Sequence, residues 1–246
     1  MKKLVLSTII CLMSFYCYGK DDFIFETELD IDKKFIVDKK ESLLRKYKEL
    51  QKYFWVRLNK PVRVEVLPYK RNLEFKNCAR IYGPYRIYAH SPQSLKEMPE
   101  DERAGYNKFC FKKTYGDLYT TLIHEFTHSL THINTNTGKI PKWIWEGIAV
   151  SMSGEMDGNN WKKRVLNNLK NYKVINICKT NISSRDVYSV GGATISYLES
   201  KYPKLTLKLV QHLRKDVDFK KADSFFKEYK QSCKIDSSSL IKYIEG

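Results

Sequence analysis

An α+β fold is what these 246 residues predict. Alternating, strand-like patterning is confined to the stretch before Pro92, and helical periodicity dominates from Tyr115 onward. A hydrophobic content of 42% with only 11 Gly and 7 Pro is enough to fill a core and excludes disordered, collagenous and low-complexity classes. The chain is read as three parts: a leader over 1–19, an α+β lobe over 20–156, and a helical lobe over 157–246 that closes a cleft against it.

The elements follow in order. Residues 38–54 form an amphipathic helix, with Leu43, Leu44, Tyr47, Leu50 and Phe54 along one face and lysines and glutamates on the other. Val62–Val66 alternates strictly and reads as a strand; Tyr85–Ala89, after Gly83-Pro84, reads as a second. Ile81-Tyr82 belongs to a strand before that turn. Pro92 to Gly105 is polar and acidic and reads as a loop. From Tyr115 the period becomes helical, placing Leu118, Leu122, Phe126 and Ile133 near one face, and another helix runs from about Trp143 to Gly154.

The first residues have the layout of a secretory leader. Lys2-Lys3 precede an apolar run from Leu4 to Tyr16, and Cys17-Tyr18-Gly19 puts small residues at −3 and −1 of a cut. That run is shorter than the roughly 20 residues a membrane span needs, and no later stretch approaches that length. A secreted or periplasmic location follows. Bulky Phe15-Tyr16 before Cys17 argues against a lipoprotein. Four cysteines remain beyond the leader. Their even number in an oxidising compartment suggests two disulfides, against the alternative of four buried thiols. The favoured pairing is Cys78–Cys110 with Cys178–Cys233, because each closes a loop within one half of the chain. The segment between Lys20 and about Asp38 could serve as a short pro-region, though it holds no processing site.

The formal charge is +16. A solvated lysine-rich surface accounts for it most simply; beyond that, it suits acidic proteins, anionic cell-envelope polymers or a membrane surface as partners. No interleaving of aromatic and basic residues marks a nucleic-acid surface.

The chemistry is concentrated at His124-Glu125-Phe126-Thr127-His128. Positions i and i+4 of a helix share a face with Cβ atoms about 5–6 Å apart, so His124 and His128 can hold one metal ion. Glu125 is turned by about 100° from His124 and stands beside the metal, placed to act as a general base. His132 continues the stripe, but its extra turn puts it too far along for the same ion, and it reads as a supporting or surface residue. His90 and His212 are isolated and read as packing or surface histidines. A third ligand is required. Thr131 and Asn134 stand where the metzincin pattern needs Gly and His, which excludes that class. Glu146 lies 18 residues after His128 on the next helix. A turn at Asn136–Gly138 would fold that helix back so that Glu146 faces both histidines.

HEFTH followed by Pro141-Lys142-Trp143-Ile144-Trp145-Glu146-Gly147-Ile148-Ala149 resembles the gluzincin zinc metallopeptidases, in particular the compact peptidase MA-like proteins with HExxH and W-x-x-E-G-x-A. The specific match covers about 115–155, and weaker similarity extends to Val62–Val66 and to Tyr188–Leu198. The resemblance implies a zincin-like fold and one zinc ion per chain on His124, His128 and Glu146. It implies Glu125 as the base that deprotonates a zinc-activated water and returns the proton to the leaving amine, and peptide or protein as substrate. Tyr188 is implied as the phenol that holds the oxyanion, against the plainer reading of one packed tyrosine among 17. Tyr85–Ala89 stands in the chain where that group's substrate-aligning edge strand stands. Val150 occupies the place where the thermolysin-like members carry an Asp behind the first histidine, so Asp117 or a backbone carbonyl is expected there instead. Two rival readings remain: an exported zinc-containing binding protein without turnover, and a metal-free, disulfide-braced adaptor.

Overall fold

The computed structural model describes residues 23–71, 76–133, 140–157, 159–178, 182–214, 222–228 and 232–246. The leader expected over 1–19 and the turn expected at Asn136–Gly138 lie outside them.

The chain is α+β. A four-stranded sheet is built from β1 (Phe23–Thr27), β2 (Val62–Leu67), β3 (Ala79–Ile81) and β4 (Arg86–His90), in the order β1-β2-β4-β3. β1, β2 and β4 are parallel, and β3 runs antiparallel to β4. Val62, Val64 and Val66 are fully buried, as the alternation of β2 dictates, in the same core as Leu43, Tyr47 and Leu50 of the long helix α1 (Asp30–Phe54). On the opposite face Glu65 is buried but takes a hydrogen bond from Arg86 Nε at 2.7 Å. The helix expected from residue 38 begins earlier, at Asp30. The stretch considered as a pro-region instead supplies β1, whose Phe23 ring packs on Tyr47 and Phe126.

Two differences in the sheet matter for the site. The strand expected at Tyr85–Ala89 is β4, an interior strand, and the edge on that side of the sheet belongs to β3. The loop expected over Pro92–Gly105 contains a short helix, α2 (Pro92–Lys96), because Ser91 caps it and Pro92 occupies its first turn.

The central helix α3 (Tyr115–His132) starts at a capping box. Thr114 Oγ1 accepts from the Asp117 N–H, and Asp117 Oδ2 accepts from the Thr114 N–H at 2.7 Å. From Thr121 to Thr131 this helix is buried all round, which is what a helix sandwiched between a sheet and other helices requires. It is followed by α4 (Lys142–Ser153), α5 (Asn159–Leu169), α6 (Ser189–Lys201), α7 (Leu205–Leu213), α8 (Ala222–Glu228) and α9 (Ser237–Glu245), with a small antiparallel pair of β5 (Val174–Asn176) and β6 (Lys234–Asp236). One hydrophobic core runs from Phe23 to Leu240 across both halves of the chain. Cys78–Cys110 and Cys178–Cys233 are both bonded, in the favoured pairing. Among the described residues no helix is long and apolar enough to cross a membrane.

α4 and α6 meet backbone to backbone. A Cβ on Gly147 would lie 2.7 Å from the Gly191 carbonyl oxygen, and one on Gly191 would lie 2.7 Å from the Trp143 carbonyl oxygen. No side chain larger than hydrogen fits at either position without moving a helix.

Candidate metal centre

Two helices bring the three candidate ligands together. α3 contributes His124 and His128, one turn apart on its inner face; α4 contributes Glu146. Glu146 Oε2 is 3.3 Å from His124 Nε2 and 3.2 Å from His128 Nε2. All three side chains are buried, and their ligand atoms lie within 4.8 Å of one another. In a tetrahedral site with metal–ligand bonds of about 2.0–2.1 Å, adjacent ligand atoms are separated by about 3.3 Å. The two distances observed are therefore those a single small divalent ion requires. The group could bind a metal ion, and its two-nitrogen, one-oxygen donor set leaves a fourth position for water or substrate.

The surroundings hold the imidazoles in place. The Trp145 ring lies parallel to His128, with centroids 4.5 Å apart and an interplanar angle of 10°. Behind His124 stands Glu155, whose Oε1 is 2.9 Å from Nδ1. Of the two partners expected here, Asp117 or a backbone carbonyl, Asp117 is used instead in the capping box of α3, and the position belongs to Glu155. Glu155 reaches the site through Gly154, which ends α4 in the left-handed conformation (φ +81°) and turns the chain back toward α3. No spacing rule signals this residue. The only cue in the sequence is an acidic side chain directly after a glycine helix stop.

Electrostatics follow from this packing. In the metal-free protein, burial opposes a charge on His124, but Glu155 and Glu146 outweigh it and lift the imidazole well above its ordinary range. Burial works against ionisation of Glu146 too, yet both histidines overcome it and hold the carboxyl far below the usual range. Glu155 is depressed likewise: His124, Lys113 and Arg164 outweigh its burial. Glu125 goes the other way. Burial raises its carboxyl against the pull of His128 and His124.

Tyr188 precedes α6, and its ring stacks on His124 at 6.1 Å. It is 40% exposed, yet burial on the site side and the neighbouring Glu146 and Glu125 carboxylates push its phenol up, which keeps the proton on the oxygen. His132 is half-buried, with its ring 6.3 Å from Trp145, and does not join the metal-ligand group. His90 is buried against Tyr106, and His212 packs on Phe225, both as packing residues.

A cleft passes over this group in two lobes. The larger, about 1240 Å³, lies on the side of Glu155 and α5; the smaller, about 670 Å³, lies on the side of His132 and Trp145. His124, Glu125, Tyr188 and Ala79 of the edge strand line both. The α3 helix is fastened to the β3–β4 turn by Ser129, whose hydroxyl donates to the Pro84 carbonyl oxygen. Comparison with family models, with curated proteins and with solved structures gives no match.

Proposed function

We propose that the protein is an exported zinc metallopeptidase of gluzincin type, with Glu125 as general base. The observation that carries this reading is a buried carboxylate, Glu125, beside two histidines and a glutamate spaced for one tetrahedral ion. Zinc bound there supplies Lewis-acid charge to a substrate carbonyl and to an attacking water.

The chain's own residues do the rest. Burial raises the Glu125 carboxyl and so strengthens it as a proton acceptor, able to take a proton from the attacking water and hand it to the departing nitrogen. The Tyr188 phenol keeps its proton and can donate a hydrogen bond to the oxyanion, a contribution of about 3 kcal/mol to the barrier. Glu155 fixes the orientation of His124, and Trp145 that of His128. The exposed edge of β3 offers main-chain donors and acceptors to an extended peptide laid across the cleft, a mode with little demand on side chains. The leader-like first residues and the two disulfides support export.

The test uses residues 20–246, loaded with zinc, against a mixed library of internally quenched peptides. Wild type cleaves members of the library, and Glu125→Gln loses at least about 100-fold in rate while retaining its zinc. A zinc-loaded wild type that cleaves nothing, or a Glu125→Gln variant that cleaves equally well, sinks the proposal.

A further inference from the structure

The larger lobe of the cleft carries a feature that peptide hydrolysis does not need. Three cations line it: Lys113 before α3, Arg164 on α5 and Arg185 on the segment leading to α6. Three carboxylates share the lobe, but each has an assigned partner. Glu155 stands against His124. Asp186 accepts from the Tyr172 and Ser183 hydroxyls, both at 2.8 Å. Glu125 faces the metal-binding group. Lys113 is also engaged, donating to Thr121 Oγ1.

The two arginines are different. Among the described residues, neither guanidinium has a hydrogen bond or a close ion pair; Arg164 acts on Glu155 only through its field, and both guanidiniums line the lobe. A divalent ion among His124, His128 and Glu146 would tip the balance of the lobe further to the positive side. Amide and hydroxyl groups complete the wall, notably Asn168 and Asn171, so the lining suits a polar guest. The volume exceeds the roughly 300–1,000 Å³ of typical small-molecule pockets, which favours a peptide segment.

We propose that this lobe is a subsite for a substrate carboxylate, recognised by Arg164 and Arg185, and that it selects peptides with an acidic group on the Glu155 side of the scissile bond. Planar guanidinium forks match carboxylates in geometry as well as charge, which gives selectivity that a diffuse lysine surface does not. The carboxylate can come from an Asp or Glu side chain or from the peptide's own C-terminus. The selectivity rests on the peptidase reading, while the anion site itself does not.

The experiment therefore reads binding as well as turnover. Zinc-loaded Glu125→Gln protein is titrated with fluorescent hexapeptides in which a single Glu is moved along the sequence, with Gln counterparts and with C-terminal acid and amide forms. The expected result is binding at least about tenfold tighter for Glu over Gln at one or two adjacent positions, or for acid over amide. Arg164→Gln and Arg185→Gln each remove most of that preference. Lys163→Ala, which takes the same charge from α5 outside the lobe, keeps it. A positional preference in a wild type that cleaves nothing leaves the subsite standing and defeats only the peptidase reading. Cleavage with no Glu/Gln or acid/amide preference overturns the subsite. So does a preference that survives both arginine variants, or one reproduced by a short oligonucleotide or heparin fragment at equal concentration.

Discussion

Gly147→Ala tests the backbone seam between α4 and α6, and with it the placement of Glu146 one residue earlier. The added Cβ would lie 2.7 Å from the Gly191 carbonyl oxygen and 2.8 Å from its carbon, both backbone atoms that no rotamer change can move aside. Restoring an ordinary contact of about 3.5 Å requires the helices to part by about 0.8 Å. Overpacking of this kind costs about 1–3 kcal/mol, and the better helix propensity of Ala returns up to about 1 kcal/mol. A net loss of about 2 kcal/mol corresponds to a fall in Tm of about 4–8 °C for a chain of this size. The same displacement breaks the 3.2 and 3.3 Å spacings around Glu146 Oε2, and metal sites tolerate only about 0.2 Å, so zinc affinity falls at least about tenfold. Melting in EDTA measures the first effect, and competition with a chelating dye the second. Gly116→Ala is the control: its Cβ meets only Thr114 Oγ1 at 3.5 Å, so the substitution is neutral or stabilises by up to about 1 kcal/mol. If Gly147→Ala melts within a degree of wild type and binds zinc equally well, the seam does not position Glu146.

Three further outcomes are expected. Glu155→Gln weakens zinc binding by about 10- to 100-fold, because a carboxylate behind Nδ1 raises the basicity of His124; unchanged affinity in a metal-buffer titration would refute that role. Zinc uptake must expel the proton that Glu155 and Glu146 stabilise on His124, so affinity keeps rising with pH beyond the ordinary histidine value of 6.5; a plateau at that value contradicts it. Replacing Cys178 and Cys233 together by serine lowers stability by about 4 kcal/mol, since their bond closes a separation of 55 residues; a denaturant melt that shifts by less than about 1 kcal/mol would show that the reduced chain gains little freedom there.

What the sequence disclosed depended on whether the signal was local. The i, i+4 pair at His124 and His128 is a property of one helix, and the alternation of Val62–Val66 a property of one strand, so both were legible. Glu146 was reachable because a short connection between two patterned helices constrains how they pack. Glu155 was not, because its role depends on a left-handed turn at Gly154 and on Asp117 being occupied in a cap. β1 was missed for a similar reason. Five residues, FIFET, carry no periodic signal until β2 is there to pair with them. The edge of the sheet was assigned to Tyr85–Ala89 because strand order is a matter of pairing, and three residues at Ala79–Ile81 are too few to show it.

The long helix α1 also bears on how the chain reaches this structure. Its Asp32 accepts from Tyr115, its Tyr53 donates to Glu199, and its Phe54 carbonyl accepts from Arg214, partners 83, 146 and 160 residues away. A helix this early in the chain thus stays without its full set of neighbours until the polypeptide is nearly finished. Contacts so distant in sequence charge the loop-closure entropy before they return any packing, and they slow folding. Assembly of the core is therefore a late event, in which the first helix waits for partners from the last fifth of the chain.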